Sequence, residues 1–223
     1  MTKARILALD LDGPVLDVKE KYCRCYADLV RELGGTPLED ADFWTRKRSG
    51  QEDRALLAAS GIEDRRDDYR RLFRERIEST HYLAFDTVWR AALQLLHTRM
   101  PSVLRLLVTL RHSREALDWQ LERLHLESAF DLVLSAPAEA DRRVETKVSL
   151  VREALGNGPL SGFFIGDTET DVAAGRALGL TTVAVGFGLR APERLKAVDP
   201  DVLLETPGAL ERWGREVSGG TIP

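Results

Sequence analysis

Two aspartates with a single residue between them stand at the end of a short apolar run. In "RILALDLDGPVLD" (5–17), Ile6 to Leu9 lead straight into Asp10, Leu11, Asp12, Gly13 and Pro14. In extended chain, residues two apart face the same side, so both carboxylates can serve one site. Gly-Pro then turns the chain, and Gly13 lets backbone N–H groups approach an anion closely. Two more acids, Asp167 and Asp171, lie in "GDTETD"; Thr109 ends "VLRLLVT"; Lys147 stands at the start of "TKVSLVREALG". Crowded carboxylates repel, and their pKa values rise unless a cation sits among them. An all-oxygen set with no His or Cys beside it suits Mg²⁺, which keeps waters and binds phosphate. Lys147, in the first turn of a helix, opposes the helix dipole, and a nearby Asp10 would supply the reason for it. Thr109 offers a hydroxyl to a phosphoryl oxygen. These parts can support an aspartyl-phosphate mechanism. Asp10 would attack phosphorus, Mg²⁺ and Lys147 would neutralise the transferring group, and Asp12 would protonate the leaving oxygen and later take a proton from water.

Such residues act together only if the fold gathers them. Residues 4–10 read as a buried strand. From Val18 to Leu33 the period becomes helical, with Tyr22, Tyr26, Leu29, Val30 and Leu33 on one rhythm and Gly34-Gly35 as the stop. Charge-rich helical sequence continues to about His81, and a further helical pattern spans Val88 to Thr98. Predicted strands at 103–110, 130–135, 162–167, 181–188 and 201–206 then alternate with helices at 113–126, 146–156 and 170–179. Ser113 caps the first of these helices, while Gly156 and Gly179 end the other two. This alternation implies an α/β fold: a Rossmann-like parallel sheet with helices on both faces and its site beyond the carboxyl ends of the strands. The helical stretch between the first two strands reads as an insertion. It divides the chain into a core, residues 1–17 and 83–223, and a helical cap, residues 18–82. The tail "SGGTIP" reads as frayed.

The 223 residues are 43% hydrophobic and 30% charged with a net charge of −4, enough for a substantial core and without the basic bias of a nucleic-acid binder. No apolar run reaches the length of a membrane span. "MTKAR" enters a strand at once, so no signal peptide and a cytoplasmic location are expected. Cys23 and Cys25, two apart on a helix, point in different directions and read as free thiols. Tyr22, Tyr26 and Trp119 read as core.

The motifs resemble those of the haloacid dehalogenase superfamily of hydrolases, and within it the phosphoglycolate-phosphatase-like group with a helical cap. "DLDGPVL" is similar to that family's DxDG(T/V)L, Thr109 in "LLVTLR" to its strand-two Thr or Ser, Lys147 to its lysine, and "GDTETD" to its GDxxxD. "AFDLVLS" and "VAVGFG" add weaker similarity. The resemblance implies Asp10 as nucleophile and Asp12 as general acid/base. It also implies Mg²⁺ held by the Asp10 side chain, the Asp12 backbone carbonyl and Asp167, with Asp171 as a ligand or as a holder of the metal's waters. An acid at Asp12 favours phosphate-ester hydrolysis or phosphoryl transfer over dehalogenation. Three positions depart from the pattern. Pro14 removes a backbone N–H, Leu110 stands beside Thr109 where many relatives carry Asn, and "KVS" lacks a common Pro. In the cap, Arg46, Lys47 and Arg48 either bind an anionic substrate or form a solvated face. Gly50 matches a Gly that in relatives starts a helix facing the site, which makes Arg48 and Ser49 the cap candidates; Arg190 is an outlying one. The implied activity is Mg²⁺-dependent hydrolysis of a small phosphomonoester, like phosphoglycolate or a sugar phosphate. The enzyme would be a monomer or homodimer with neither nucleic acid nor membrane as partner. A phosphomutase is the alternative within the superfamily. A regulatory phospho-acceptor module is the alternative outside it, disfavoured by an acceptor on the first strand and by the long helical interruption.

Overall fold

The protein, seen in a computed structural model, is described over residues 4–137 and 143–219. It opens with β1 (Ala4–Leu9) and the short β2 (Leu16–Asp17). The helices α1 (Lys19–Glu32), α2 (Asp40–Arg48), α3 (Asp53–Ala59), α4 (Arg66–Arg76) and α5 (Thr80–Leu83) follow. The chain returns through β3 (Thr87–Val88) and α6 (Arg90–His97). Strands and helices then alternate as β4 (Leu104–Thr109), α7 (Arg114–Arg123), β5 (Leu132–Ser135), α8 (Arg143–Leu155), β6 (Leu160–Gly166), α9 (Glu169–Leu178) and β7 (Thr181–Val185). Last come α10 (Pro192–Lys196), β8 (Val202–Leu204) and α11 (Pro207–Gly219).

The six-stranded sheet is parallel throughout, in the order β5-β4-β1-β6-β7-β8. The apolar run of β1 is continuous because helices cover both faces of the sheet. Leu7 and Leu9 pack on one side with Leu107, Phe163, Ile165 and Trp213; Ile6 and Ala8 pack on the other with Leu106, Val108, Phe164 and Leu178. β1 lies between β4 and β6, so the carboxyl ends of these three strands are neighbours. The strand order reverses at β1, and a crevice opens at such a switch point.

Helices α1 to α5 form a lobe with an apolar centre of its own, including Tyr26, Leu29, Phe43, Leu57, Tyr69 and Tyr82. Tyr26 lies stacked on Phe43, ring centroids 4.0 Å apart, and its hydroxyl sits 2.6 Å from the Ser60 hydroxyl. The two crossings between lobe and sheet are stitched by β2 pairing antiparallel with β3. At two residues each, these strands are too short to leave a period in the sequence. Helix α11 is also absent from the sequence expectation. It docks through Trp213, which meets Phe163 edge-on at 5.0 Å. Ser218 and Gly219, expected to fray, belong to it, and the rest of that tail lies outside the described residues. Strand β7 is shorter than expected, because the chain leaves the sheet at Gly186. Cys23 and Cys25 are free and buried, and burial pushes both thiols up to about 12. No helix among the described residues is long and apolar enough to cross a membrane.

Gly162 fixes how closely β6 approaches β1. Its φ is +113°, and a Cβ there would lie 2.0 Å from the carbonyl oxygen of Ile6. Gly162→Ala is expected to cost about 2–4 kcal/mol through backbone strain and separation of the two strands, read as a lower denaturant midpoint at unchanged m-value.

Candidate active site

Strand β1 delivers Asp10 at its carboxyl end, where the Asp10 N–H still donates to Ile165 O at 2.9 Å and continues the sheet. Strand β6 delivers Asp167, and the capping box of α9 delivers Asp171. One oxygen of Asp171, Oδ2, accepts from the Thr168 N–H at 2.9 Å, the Thr168 hydroxyl at 2.7 Å and the Asp167 N–H at 3.2 Å. Its other oxygen faces the Lys147 ammonium at 2.6 Å, and Lys147 also reaches Asp10 at 3.0 Å. Asp171 therefore both starts a helix and carries charge into the site.

Asp10, Asp167 and Asp171 each place a carboxylate oxygen within 4.8 Å of the others. Burial above all lifts Asp10 to about 7; Lys147 pulls it down, while Asp171 and Asp12 push it further up. Asp167, fully buried, is driven well above the carboxylate range by burial and then by Asp171 and Asp10. The Leu189 N–H donates to Asp167 Oδ2 at 2.5 Å, but Oδ1 has no hydrogen-bond partner among the described residues. Three buried carboxylates with one lysine, an orphaned oxygen and, among the described residues, no His or Cys in the cluster fit a hard divalent cation. Glycines frame this pocket. A Cβ on Gly13, whose φ is +107°, would lie 2.0 Å from Asp167 Oδ2, and one on Gly188 would lie 2.2 Å from it.

The Asp12 side chain belongs to a different cluster. Arg111 clamps it with two donors, Nη2 to Oδ1 at 2.6 Å and Nε to Oδ2 at 3.1 Å, and Lys21 adds a contact at 3.3 Å. Burial alone would raise its pKa, but Arg111 and then Lys21 hold the carboxyl well below its usual range. Behind them lies Asp86, with no exposed surface. It accepts from Lys21 at 2.7 Å and from the Gln120 amide at 2.7 Å, and Arg111 stands 3.5 Å away. The Asp12 carboxylate is thus committed to two cations and stands outside the carboxylate triad. Sequence reasoning passed over Lys21, Asp86, Arg111 and Gln120. Arg111, two residues past Thr109, was within reach of it. Lys21 and Asp86 are 65 positions apart and carry no motif.

Thr109 is buried at the end of β4, its hydroxyl accepting from the Arg111 N–H at 3.3 Å. A cavity of about 530 Å³ opens above these groups. Asp10, Asp12, Thr109, Leu110 and Lys147 line it from the sheet side; Tyr22, Lys47 and Phe73 line it from the lobe. Among known proteins, the family model of haloacid dehalogenase-like hydrolases matches residues 7–185. The chain belongs to that family.

This hydrolase is 27% identical over 213 residues to a phosphoglycolate phosphatase of Aquifex aeolicus, a match covering 92% of its own length and 94% of the relative's. It is 35% identical over 99 residues to a phosphoglycolate phosphatase of Synechococcus elongatus, covering 44% and 46% of the two chains. A solved haloacid dehalogenase-like family hydrolase from Streptococcus pneumoniae shares the fold at a TM-score of 0.73 and 21% identity, over 96% of this chain and 99% of that one.

In this hydrolase the expected cap pair, Arg48 and Ser49, is placed elsewhere than at the cavity. Arg48 leaves the end of α2 and donates to three carbonyls of the loop after β7: Gly188 at 3.0 Å, Arg190 at 3.4 Å, and Gly186. The Ala191 N–H donates back to Arg48 O at 3.0 Å. Arg48 is a latch between lobe and loop, and that loop also carries the Leu189 N–H that holds Asp167. The Ser49 hydroxyl turns back to Arg46 O at 2.8 Å and lies beside Glu169 and Arg194 in a surface groove. Arg190 is paired with Glu169 at 3.1 Å. Tyr22, expected in the core, faces the cavity, because the lobe turns this side of α1 towards the sheet.

Lys147→Met would leave Asp10 and Asp171 buried with no counter-charge. In metal-free buffer it is expected to cost about 3–5 kcal/mol at neutral pH. A carboxyl whose folded pKa is raised destabilises most when it must ionise. Lys147 pulls the Asp10 carboxyl down, so in the variant Asp10 ionises only at higher pH. The deficit should therefore grow as pH rises above about 7 and level off below it, where Asp10 is protonated with or without Lys147, as measured by denaturation at several pH values. Arg48→Met should release the latch, seen as amide exchange at Leu189 and Ala191 faster by about tenfold or more.

Proposed function

We propose that this hydrolase is a Mg²⁺-dependent phosphatase that cleaves a small phosphomonoester, phosphoglycolate- or sugar-phosphate-like, through an aspartyl phosphate on Asp10. The observation that carries the reading is the pairing of Asp10 with Lys147 beside Asp167 and Asp171 at the carboxyl ends of the central strands, facing a cavity that the helical lobe lines from the other side. The phosphoglycolate phosphatases among its relatives support it. In this reading residues 18–82 are the cap and residues 1–17 and 83–223 the core. The cap covers the site while phosphoryl transfer takes place, and so limits water.

The roles divide by chemistry. Asp10 is the nucleophile: it attacks phosphorus, the P–O bond to the leaving group breaks, and an acyl phosphate forms on its carboxylate. Lys147 balances negative charge on Asp10 and on the transferring group, and the Thr109 hydroxyl holds a phosphoryl oxygen. Asp10, Asp167 and the backbone carbonyl of Asp12 would hold Mg²⁺, with Asp171 steadying Lys147 and the first turn of α9. The ion supplies charge neutralisation at the phosphoryl oxygens. Asp12 is the acid/base. Held ionised by Arg111 and Lys21, it is ready to take a proton from the water that hydrolyses the acyl phosphate. Donating to the leaving oxygen in the first half requires it to gain a proton against those two cations.

Purified protein with Mg²⁺ should release orthophosphate from para-nitrophenyl phosphate and from members of a phosphometabolite panel, and a chelator should abolish the release. Asp10→Asn should lower kcat by about 10⁴-fold or more. Transfer of the phosphoryl group to a sugar without orthophosphate release would instead indicate a mutase, and persistence of a stable phosphoprotein would indicate a module without turnover.

A further inference from the structure

The cations facing the cavity are mostly committed. Lys147 serves Asp10 and Asp171, Lys21 and Arg111 serve Asp12 and Asp86, and Arg70 is paired with Asp53 at 2.8 Å. Arg74 and Arg143 are exposed, where solvent screens their charge. Lys47 is different. It is half-buried on α2, and its ammonium lies 4.4 Å from the centroid of the Tyr22 ring and 6.0 Å from that of Phe73. Among the described residues no carboxylate comes within ion-pair distance of it. The one whose field it feels most, Asp53, is bound to Arg70, while Arg190 and Arg143 add positive charge nearby. Burial first, and Arg190 next, push the ammonium down to about 8.

A half-buried cation held on aromatic faces among other cations, with no counter-charge, is electrostatically incomplete. An anion arriving in the cavity completes it. The phosphoryl group transferred to Asp10 already meets Lys147 and Thr109 on the sheet side, whereas Lys47 comes from the lobe, beside the space left for the remainder of the substrate. We infer that Lys47 is a specificity residue that receives a second anionic group, a carboxylate or a further phosphate, carried on the leaving part of the phosphomonoester. This rests on the phosphatase reading above. Tyr22 and Phe73 hold the ammonium in place and shield it from water, which strengthens its pairing with the incoming anion.

The test compares substrates matched in shape but not in charge: para-carboxyphenyl phosphate against para-carbamoylphenyl phosphate, with hydroxypropyl phosphate against propanediol bisphosphate as the phosphate arm. Lys47→Met keeps the stem length and the packing on Tyr22. The ratio of kcat/KM for the charged over the neutral member should fall about tenfold or more in the variant, mainly through KM, and Lys47→Arg should restore part of it. The arm that shows the fall identifies the anion as carboxylate or phosphate. An unchanged ratio in both arms overturns the inference. So does an equal loss for charged and neutral substrates, which would place Lys47 on the transferring phosphoryl group. A wild-type protein inert towards para-nitrophenyl phosphate would defeat the phosphatase reading alone. Calorimetry of para-hydroxybenzoate against para-hydroxybenzamide still tests Lys47 in that case. Tighter binding of the carboxylate that is lost in Lys47→Met supports the anion site, and equal binding of the two overturns it.

Discussion

Buried carboxylates cannot share a small volume without positive charge among them, and the centre of this protein is arranged around that constraint. Lys147 stands between Asp10 and Asp171 at 3.0 and 2.6 Å, with Asp167 completing the group. Three acids face one ammonium here, and the excess negative charge matches a divalent cation. The neighbouring cluster is balanced: Asp12 and Asp86 face Lys21 and Arg111, two against two. Asp10 and Asp12 are two positions apart in sequence and end in opposite electrostatic situations. The first is raised by burial and left needing a cation, and the second is saturated with cations and held ionised. Two carboxylates pushed apart in this way can divide nucleophilic and proton-transfer work.

The same clusters tie the lobe to the sheet. Lys21 lies on α1, where the chain enters the helical lobe, and Asp86 lies just before β3, where it returns. Arg111 and Gln120 come from the sheet side. The lobe is therefore anchored through the side chains that fix Asp12. A second tie runs through Arg48, which grips the loop after β7, the loop whose Leu189 N–H holds Asp167. Just past the return crossing, the Trp89 indole donates to Gly13 O at 2.9 Å and meets Phe187 edge-on at 5.4 Å, joining that crossing to the turn after β1 and the loop after β7. The position of the lobe and the shape of the catalytic floor are thus not independent.

The sequence by itself determined the parallel α/β frame and the residues at its strand ends. Period-two and period-3.6 apolar patterns are local, and a carboxylate or hydroxyl at the end of a buried strand is placed by that pattern alone. Asp10, Thr109 and Asp167 were legible for this reason, while Lys147 and Asp171, both on helices, were picked out by motif. Also legible were Ser113, whose hydroxyl accepts from the Ala116 N–H at 3.2 Å, and Gly179, which ends α9 in a left-handed conformation. The β2–β3 ribbon and α11 were not, since each owes its place to distant partners rather than to a run of its own.

Only the tertiary structure decided how charge is shared out. The run "RKRSG" gives three adjacent cations of similar chemistry. The helix turns them by about 100° per residue, and where each points depends on what the lobe meets. Arg46 pairs with Asp42 on its own helix, Arg48 takes the loop carbonyls, and Lys47 is left at the cavity on Tyr22. Likewise Asp12 looked like a partner of Asp10 for one cation, and became the counter-ion of an arginine 99 residues away. Residue type and strand position are written locally, but the pairing of charges is a property of packing, because it depends on which groups folding removes from water together.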